Sequence, residues 1–359
     1  MTWAEWYREF FKKWQSTVDI RYTMYYNITI HYKEVSVMSI QEIVSEIKNK
    51  QPKIQSVFFV GCGASMSDLF PAKYFFEQNA KKLRCSLYTA NNFNYSTPVA
   101  VDNTSIVITC SLSGNTPESV EATKLAVSKG AHVISITNQA DSPLATNANY
   151  AIIHGFSENY GAKMEKPARA LELACEILNA YEGYAHYEDL HAGLSRIFDL
   201  INASVPMALP LAKQFAQENF DADILYVMSS GATQYTAYSF SMFLMMEMQW
   251  LKSSSFHCGE FFHGPFELSD ESAHYLLMMN DGPTRYLDER ALAFLQRTHA
   301  HYTVIDAKDF GLGAHIPASV VEYFNPLLIG GLDRPFGEEI AKLRQHPLTM
   351  RRYMWKMEY

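Results

Sequence analysis

The 359-residue sequence has no block of lysine or arginine, and its formal net charge is −8. Phosphate-backbone contacts need a concentrated positive face, so nucleic acid is not an expected partner. It has no CxxC pair. Its five cysteines (Cys62, Cys85, Cys110, Cys175 and Cys258) are scattered and odd in number, so they cannot form a closed set of intrachain disulfides. It has no apolar run long enough to cross a bilayer; the longest, "FSMFLMMEMQWL", is interrupted by Glu247. The opening residues, "MTWAEWYREFFKKW", carry charges throughout and lack the apolar core and small-residue cleavage site of a signal peptide. A soluble protein of a reducing compartment, the cytoplasm, is expected, with no membrane partner.

What is present is enough for a sizeable core, since 48% of residues are hydrophobic. Residues 1–37 are rich in aromatics without a clear period and read as an N-terminal arm packed on a partner chain, or as an upstream extension. From Met38, "MSIQEIVSEIKNK" reads as a capped amphipathic helix, with Ser39 three residues before Glu42. Then "SVFFVGCG", "SIVITCSLSGNT" and "AHVISITN" are continuous apolar runs separated by helical stretches. That pattern predicts a parallel sheet covered on both faces, a doubly wound α/β domain.

The second half repeats the first. "ILYVMSSGAT" mirrors "VFFVGCGAS", "HYLLMMNDGPT" mirrors "VITCSLSGNT", and "AHYTVID" mirrors "AHVISIT". Gly63 and Gly231 are 168 residues apart, Gly114 and Gly282 also 168, and His132 and His301 169. The chain is therefore expected to hold two tandem α/β domains of one design.

In "CSLSGNTPE", a strand ends in Ser111, Ser113, Gly114 and Thr116, and Pro117 opens a helix. Three hydroxyls and a glycine at a strand-to-helix turn suit a phosphate dianion. An N-cap with incidental serines is the alternative. At a second turn of the same sheet, "GCGAS" offers Gly61, Gly63 and Ser65, and ligands of open α/β sheets bind where such loops leave the carboxyl ends of the strands. The equivalent second-half loops lose the serine pair and gain Asp281, which would repel a phosphate, so one phosphate site per chain is expected.

Within the second half, between its two glycine loops, lies "HCGEFFHGPFE". His257, Glu260 and His263 are spaced by three, unlike the i, i+4 histidines of a zincin helix, and Gly264-Pro265 breaks any helix there, so no metal is expected. Upstream, the helical stretch "ATQYTAYSFSMFLMMEMQWLK" is apolar nearly all round yet contains Glu247. A desolvated glutamate has a raised pKa and can accept and return a proton near neutrality; the alternative is a structural pair with a nearby arginine or lysine.

"GCGAS" with "SLSGNTPE" resembles the sugar isomerase (SIS) domain, and the tandem over residues 40–359 is similar to the isomerase half of glucosamine-6-phosphate synthase. The resemblance implies domains at 38–190 (phosphate-binding) and 191–340 (carrying the glutamate and histidine), with 341–359 as a tail over the active site. Phosphate would be held by Ser65, Ser111, Ser113 and Thr116. Glu247 would shuttle a proton between C1 and C2. His263, sixteen residues later and contributed by the other subunit of a dimer, would assist ring opening. Gly63, Glu260 and the tail lysine Lys356 are further substrate-binding candidates. Leu112 departs from the family, whose loop commonly has a polar residue there. "EGYAHY", "EMQW", "GEFFHGPFE" and "RQHPLTMRRYMWKMEY" look like the deglycases that cleave 6-phosphorylated Amadori compounds. The expected activity is therefore hydrolysis of a glycated amino acid 6-phosphate, with fructoselysine 6-phosphate as lead and no cofactor. The alternatives are an aldose–ketose isomerase, a glucosamine-6-phosphate deaminase-like enzyme, or a sugar-phosphate sensor.

Overall fold

The structure is a computed structural model that describes residues 38–156 and 159–358; the expectations for residues 1–37 lie outside them. From Ile40 onward the chain forms one compact unit. It begins with helix α1 (Ile40–Lys50), whose buried residues Ile40, Ile43, Val44 and Ile47 recur at helical spacing and form one apolar face.

The first sheet contains β1 (Ser56–Gly61), β2 (Arg84–Thr89), β3 (Ser105–Cys110), β4 (His132–Thr137) and β5 (Tyr150–Ile153), all parallel, in the order β2-β1-β3-β4-β5. Every residue of β3 is buried, as is β1 from Val57 to Gly61, because helices cover both faces. Full burial of one such side chain contributes about 1.5–3 kcal/mol. Two of the covering helices matter for the site: α2 (Ala64–Asn79), which follows β1, and α3 (Pro117–Ser128), which follows β3. Phe58, Val60, Phe93, Val107 and Val133 make the core of one face.

Two long helices, α4 (Glu165–Glu182) and α5 (Tyr187–Asn219), lead to the second sheet. The boundary placed between residues 190 and 191 falls inside α5. The second sheet holds β6 (Leu225–Ser229), β7 (Ser253–His257), β8 (His274–Met279) and β9 (His301–Asp306), parallel in the order β7-β6-β8-β9. This repeats the β2-β1-β3-β4 portion of the first sheet, as the offsets of the repeated motifs predict. Helix α6 (Gln234–Ser239) continues directly into a π-helix (Phe240–Glu247). Helix α7 (Arg285–Arg297) follows β8, and α8 (Asn325–Leu343) closes the fold, packing along α5. No helix of the described residues is long and apolar enough to cross a membrane.

Candidate active site

In the first sheet the strand order reverses between β1 and β3, and Gly61 lies opposite Cys110 in register. The two serine-bearing loops therefore leave the sheet side by side, at the switch point where open α/β folds take ligands. Ser111 Oγ and Thr116 Oγ1 are 2.9 Å apart. Thr116 is the N-cap of α3, but its hydroxyl makes no cap bond, so it faces its loop partner. Ser113 is half-buried. Gly114 has φ of +68°, and a Cβ there would stand 2.1 Å from Ser142 Oγ, so the turn admits no side chain.

Ser65 is buried at the start of α2 and accepts a hydrogen bond from Lys166 Nζ at 3.1 Å. Lys166 also pairs with Asp68 Oδ2 at 2.8 Å. Burial works against the ammonium, but its interactions with Asp68 and Cys110 together outweigh that effect and its pKa ends raised. The structure thus places a buried lysine, not among the residues expected at the phosphate loops, against Ser65. A signal for it exists, since Lys166 lies one helical step before buried Ala170, Leu173, Ala174 and Ile177.

The matching second-half loop is occupied by its own carboxylate. Asp288 is fully buried and accepts bonds from Ser230 Oγ (2.6 Å), Asn280 N (3.0 Å) and Asn280 Nδ2 (2.9 Å). Asp281 lies 3.8 Å from Lys308.

Glu247 ends the π-helix, a form of local widening that occurs often at functional sites. Its side chain is 23% exposed, so the burial expected from the apolar stretch is partial. The tail folds back against it. Gln249 Nε2 donates to His346 O at 2.9 Å, the Trp250 and His346 rings meet edge-on at 4.4 Å, and the Arg352 guanidinium sits 4.2 Å over the Trp250 ring. Arg351 Nη2 pairs with Glu247 Oε1 at 2.7 Å. Burial raises the Glu247 pKa and Arg351 pulls it down, with burial the larger effect. Sequence reasoning missed Arg351 and put weight on Lys356. That lysine is exposed, and its Nζ donates to the Arg351 carbonyl oxygen.

Two clefts adjoin this helix end. One, of about 260 Å³, is lined by Ala64, Asp68, Leu112 and Lys166 from the first half and by Phe243 and Met248 from the π-helix and the residue after it. Gly63, with φ of +57°, caps α2 at this junction; a Cβ there would stand 3.5 Å from the Phe243 ring. The other, of about 450 Å³, is lined by Met246, Glu247, Trp250, Arg351, Arg352, Tyr353 and Met354. His263 lines neither cleft; it is exposed at the end of a 3₁₀ turn, as is nearby Glu260. Half-buried His257 accepts a bond from Gly259 N at 3.0 Å. Among the described residues no cluster of three or more His, Cys, Asp or Glu side chains has metal-binding geometry.

Residues 52–168 match the SIS domain model. Over 320 residues, 89% of this chain and 97% of the relative, the sequence is 38% identical to fructosamine deglycase FrlB of Bacillus subtilis strain 168. The chain belongs to the SIS-domain phosphosugar deglycase family. A more distant member, fructoselysine 6-phosphate deglycase of Escherichia coli K12, is 24% identical over 77% of this chain and 79% of its own length. A solved structure described as a phosphosugar isomerase of Salmonella typhimurium LT2 superposes with a TM-score of 0.86 at 38% identity, covering 89% of this chain and 96% of that one. The tandem sheets and the loop pair at the first switch point are thus those of an SIS-type phosphosugar deglycase fold.

Proposed function

We propose that the protein hydrolyses a 6-phosphorylated glycated amino acid, with fructoselysine 6-phosphate as the leading substrate, to glucose 6-phosphate and the free amino acid. The observation that carries this reading is the placement of Glu247. A partly desolvated carboxylate, held by a tail arginine, lines one cleft at the end of a helix whose Phe243 and Leu244 wall the neighbouring cleft, where Leu112 of the phosphate loop lies. The family relationship supplies the substrate class, since the relatives are a fructosamine deglycase and a fructoselysine 6-phosphate deglycase.

The phosphate is held by Ser65, Ser111, Ser113 and Thr116 with the N-terminal ends of α2 and α3, and Lys166 adds positive charge behind Ser65. His263 of a second copy assists ring opening. In the open ketosamine, Glu247 takes a proton from C1. The C1–H electrons form the C1=C2 bond, and the C2 carbonyl oxygen takes up a proton, giving an enaminol. Returning a proton to C2 lets the nitrogen lone pair form C1=N. Water adds at C1 and the C–N bond breaks, leaving the aldehyde of glucose 6-phosphate and the amine. Arg351 keeps Glu247 ionised between turnovers. The cleft around Glu247, with Trp250, Tyr353, Met246 and Met354, leaves room for an amine substituent larger than ammonia.

A second reading, aldose–ketose isomerisation by the same residues, draws on the description of the Salmonella structure as a phosphosugar isomerase. One experiment tests both. Purified protein is incubated with fructoselysine 6-phosphate, glucoselysine 6-phosphate, fructoseasparagine 6-phosphate and glucosamine 6-phosphate, while glucose 6-phosphate and free amine are followed together. Equal release of amino acid and glucose 6-phosphate is expected. Isomerised sugar phosphate or ammonia without any amino acid would replace the deglycase reading.

A further inference from the structure

Helix α8 presents Asp333 and Arg334 to the 260 Å³ cleft. The charged groups along that cleft are matched, with one exception. Lys166 is paired with Asp68, Arg334 Nε with Glu338 Oε1 at 3.1 Å, and Glu338 also accepts from Tyr160 at 2.7 Å; Lys163 has its own interaction. Asp333 is 6% exposed, yet its carboxyl has no hydrogen-bond or ion-pair partner among the described residues. Burying a carboxyl unpaired is costly, and burial with nearby Asp68 pushes this one well above the usual carboxylate range, against the pull of Arg334. A fold retains such a group where something else completes it.

The surroundings specify what that is. Thr236 and Ser239 face the cleft from α6, and Ser67 faces it from α2. The walls are therefore hydroxyl-bearing, and the phosphate-loop residue Leu112 lines the same space. A cationic ligand group is disfavoured beside Arg334, and an anionic one beside Asp68. A neutral polyol, which donates through its hydroxyls, fits all of these. We propose that Asp333 is a substrate-contacting residue that takes a hydrogen bond from a hydroxyl of the sugar chain. This places the carbohydrate portion of the ligand against α8. It rests on the phosphosugar reading of the cleft, and not on the deglycase step.

The test uses two unreactive probes, sorbitol 6-phosphate and inorganic phosphate, titrated calorimetrically into the wild type, Asp333→Asn and Asp333→Leu. Loss of the accepting oxygen should weaken sorbitol 6-phosphate about tenfold or more in Asp333→Leu and leave phosphate within about twofold, whereas Asp333→Asn, whose amide oxygen still accepts, should bind closer to the wild type. The unliganded variants should melt no lower than the wild type, because an uncompensated group has been removed. Unchanged sorbitol 6-phosphate affinity in Asp333→Leu overturns the proposal. So does an equal loss for both probes with a lowered melting point, which marks a structural residue. If the wild type binds sorbitol 6-phosphate no more tightly than phosphate, the phosphosugar reading of the cleft falls and this inference falls with it. A wild type that binds sorbitol 6-phosphate more tightly than phosphate, with an Asp333→Leu variant that does not differ from it, removes the inference alone.

Discussion

Arg351 Nη2 lies 2.7 Å from Glu247 Oε1, and the two residues come from opposite ends of the second half, a helix terminus and the C-terminal tail. Their opposing effects set the glutamate's protonation: burial favours the neutral acid, and the guanidinium favours the carboxylate. A proton-abstracting base must be ionised, so turnover rises with pH through its pKa.

Replacing Arg351 with methionine leaves burial unopposed and raises the Glu247 pKa further. The acid limb of the kcat/KM profile should then move to higher pH, so the variant loses more activity at pH 6 than at pH 8. A profile measured from pH 5 to 9 checks this. A uniformly depressed profile with an unmoved limb would show that Arg351 does not set the charge of Glu247. Glu247→Gln should lose about 10²–10⁴-fold in turnover at every pH while still binding phosphate.

The Lys166–Asp68 pair makes a separate prediction, in stability. The Lys166 side chain is 8% exposed and Asp68 26%. Lys166→Met strips the partner from a mostly buried carboxylate and should cost about 3–5 kcal/mol, whereas Lys166→Met combined with Asp68→Leu should recover much of that. Urea denaturation of the two single variants and the double variant gives the coupling. Additive losses would mean the pair is energetically slack. Phosphate affinity should fall in both Lys166 variants, because Ser65 loses its donor.

Gly114 allows a sharper test of the loop. An added methyl meets Ser142 Oγ at 2.1 Å and Cβ at 2.5 Å, and the φ of +68° is itself unfavourable for alanine. Gly114→Ala should destabilise by roughly 1–3 kcal/mol and weaken phosphate binding more than Ser113→Ala does, because the whole turn must shift. Thermal melts with phosphate titration read both. Wild-type phosphate affinity in Gly114→Ala would remove the loop from the binding site.

The parts of this molecule visible in its sequence are those encoded locally. β1 and β3 are legible because strands buried on both faces are continuous apolar runs, and the turns after them because glycine and hydroxyl residues concentrate there. Glu247 is legible as the lone charge in an apolar helix. Lys166 and Arg351 are not, because each acquires its meaning from a partner far along the chain, Ser65 and Glu247 respectively. The π-helix is equally hidden, since it uses the same apolar residues an α-helix would and differs only in hydrogen-bond register. Lys356 shows how residue type alone leaves side-chain placement open. Its residue type fits the family's tail lysine, but its side chain turns back onto the tail's own backbone.

His263 is exposed and lines neither cleft, while Glu247 opens onto one of them. The proposed contribution of His263 by a second copy accounts for both facts, and it makes a quantitative prediction. With the site shared in that way, neither Glu247→Gln nor His263→Ala dimers would hold an intact site. A heterodimer of the two holds one, made from the glutamate of the His263→Ala chain and the histidine of the Glu247→Gln chain. Equal mixing with free exchange makes about half of the dimers mixed, so activity should return to about a quarter of wild type, the proportion expected for a two-fold interface. Exchange is followed with differently tagged chains, and activity is measured on the same samples. Confirmed exchange without recovery would confine each site to one chain, and His263 would then have to act from its own subunit or not at all.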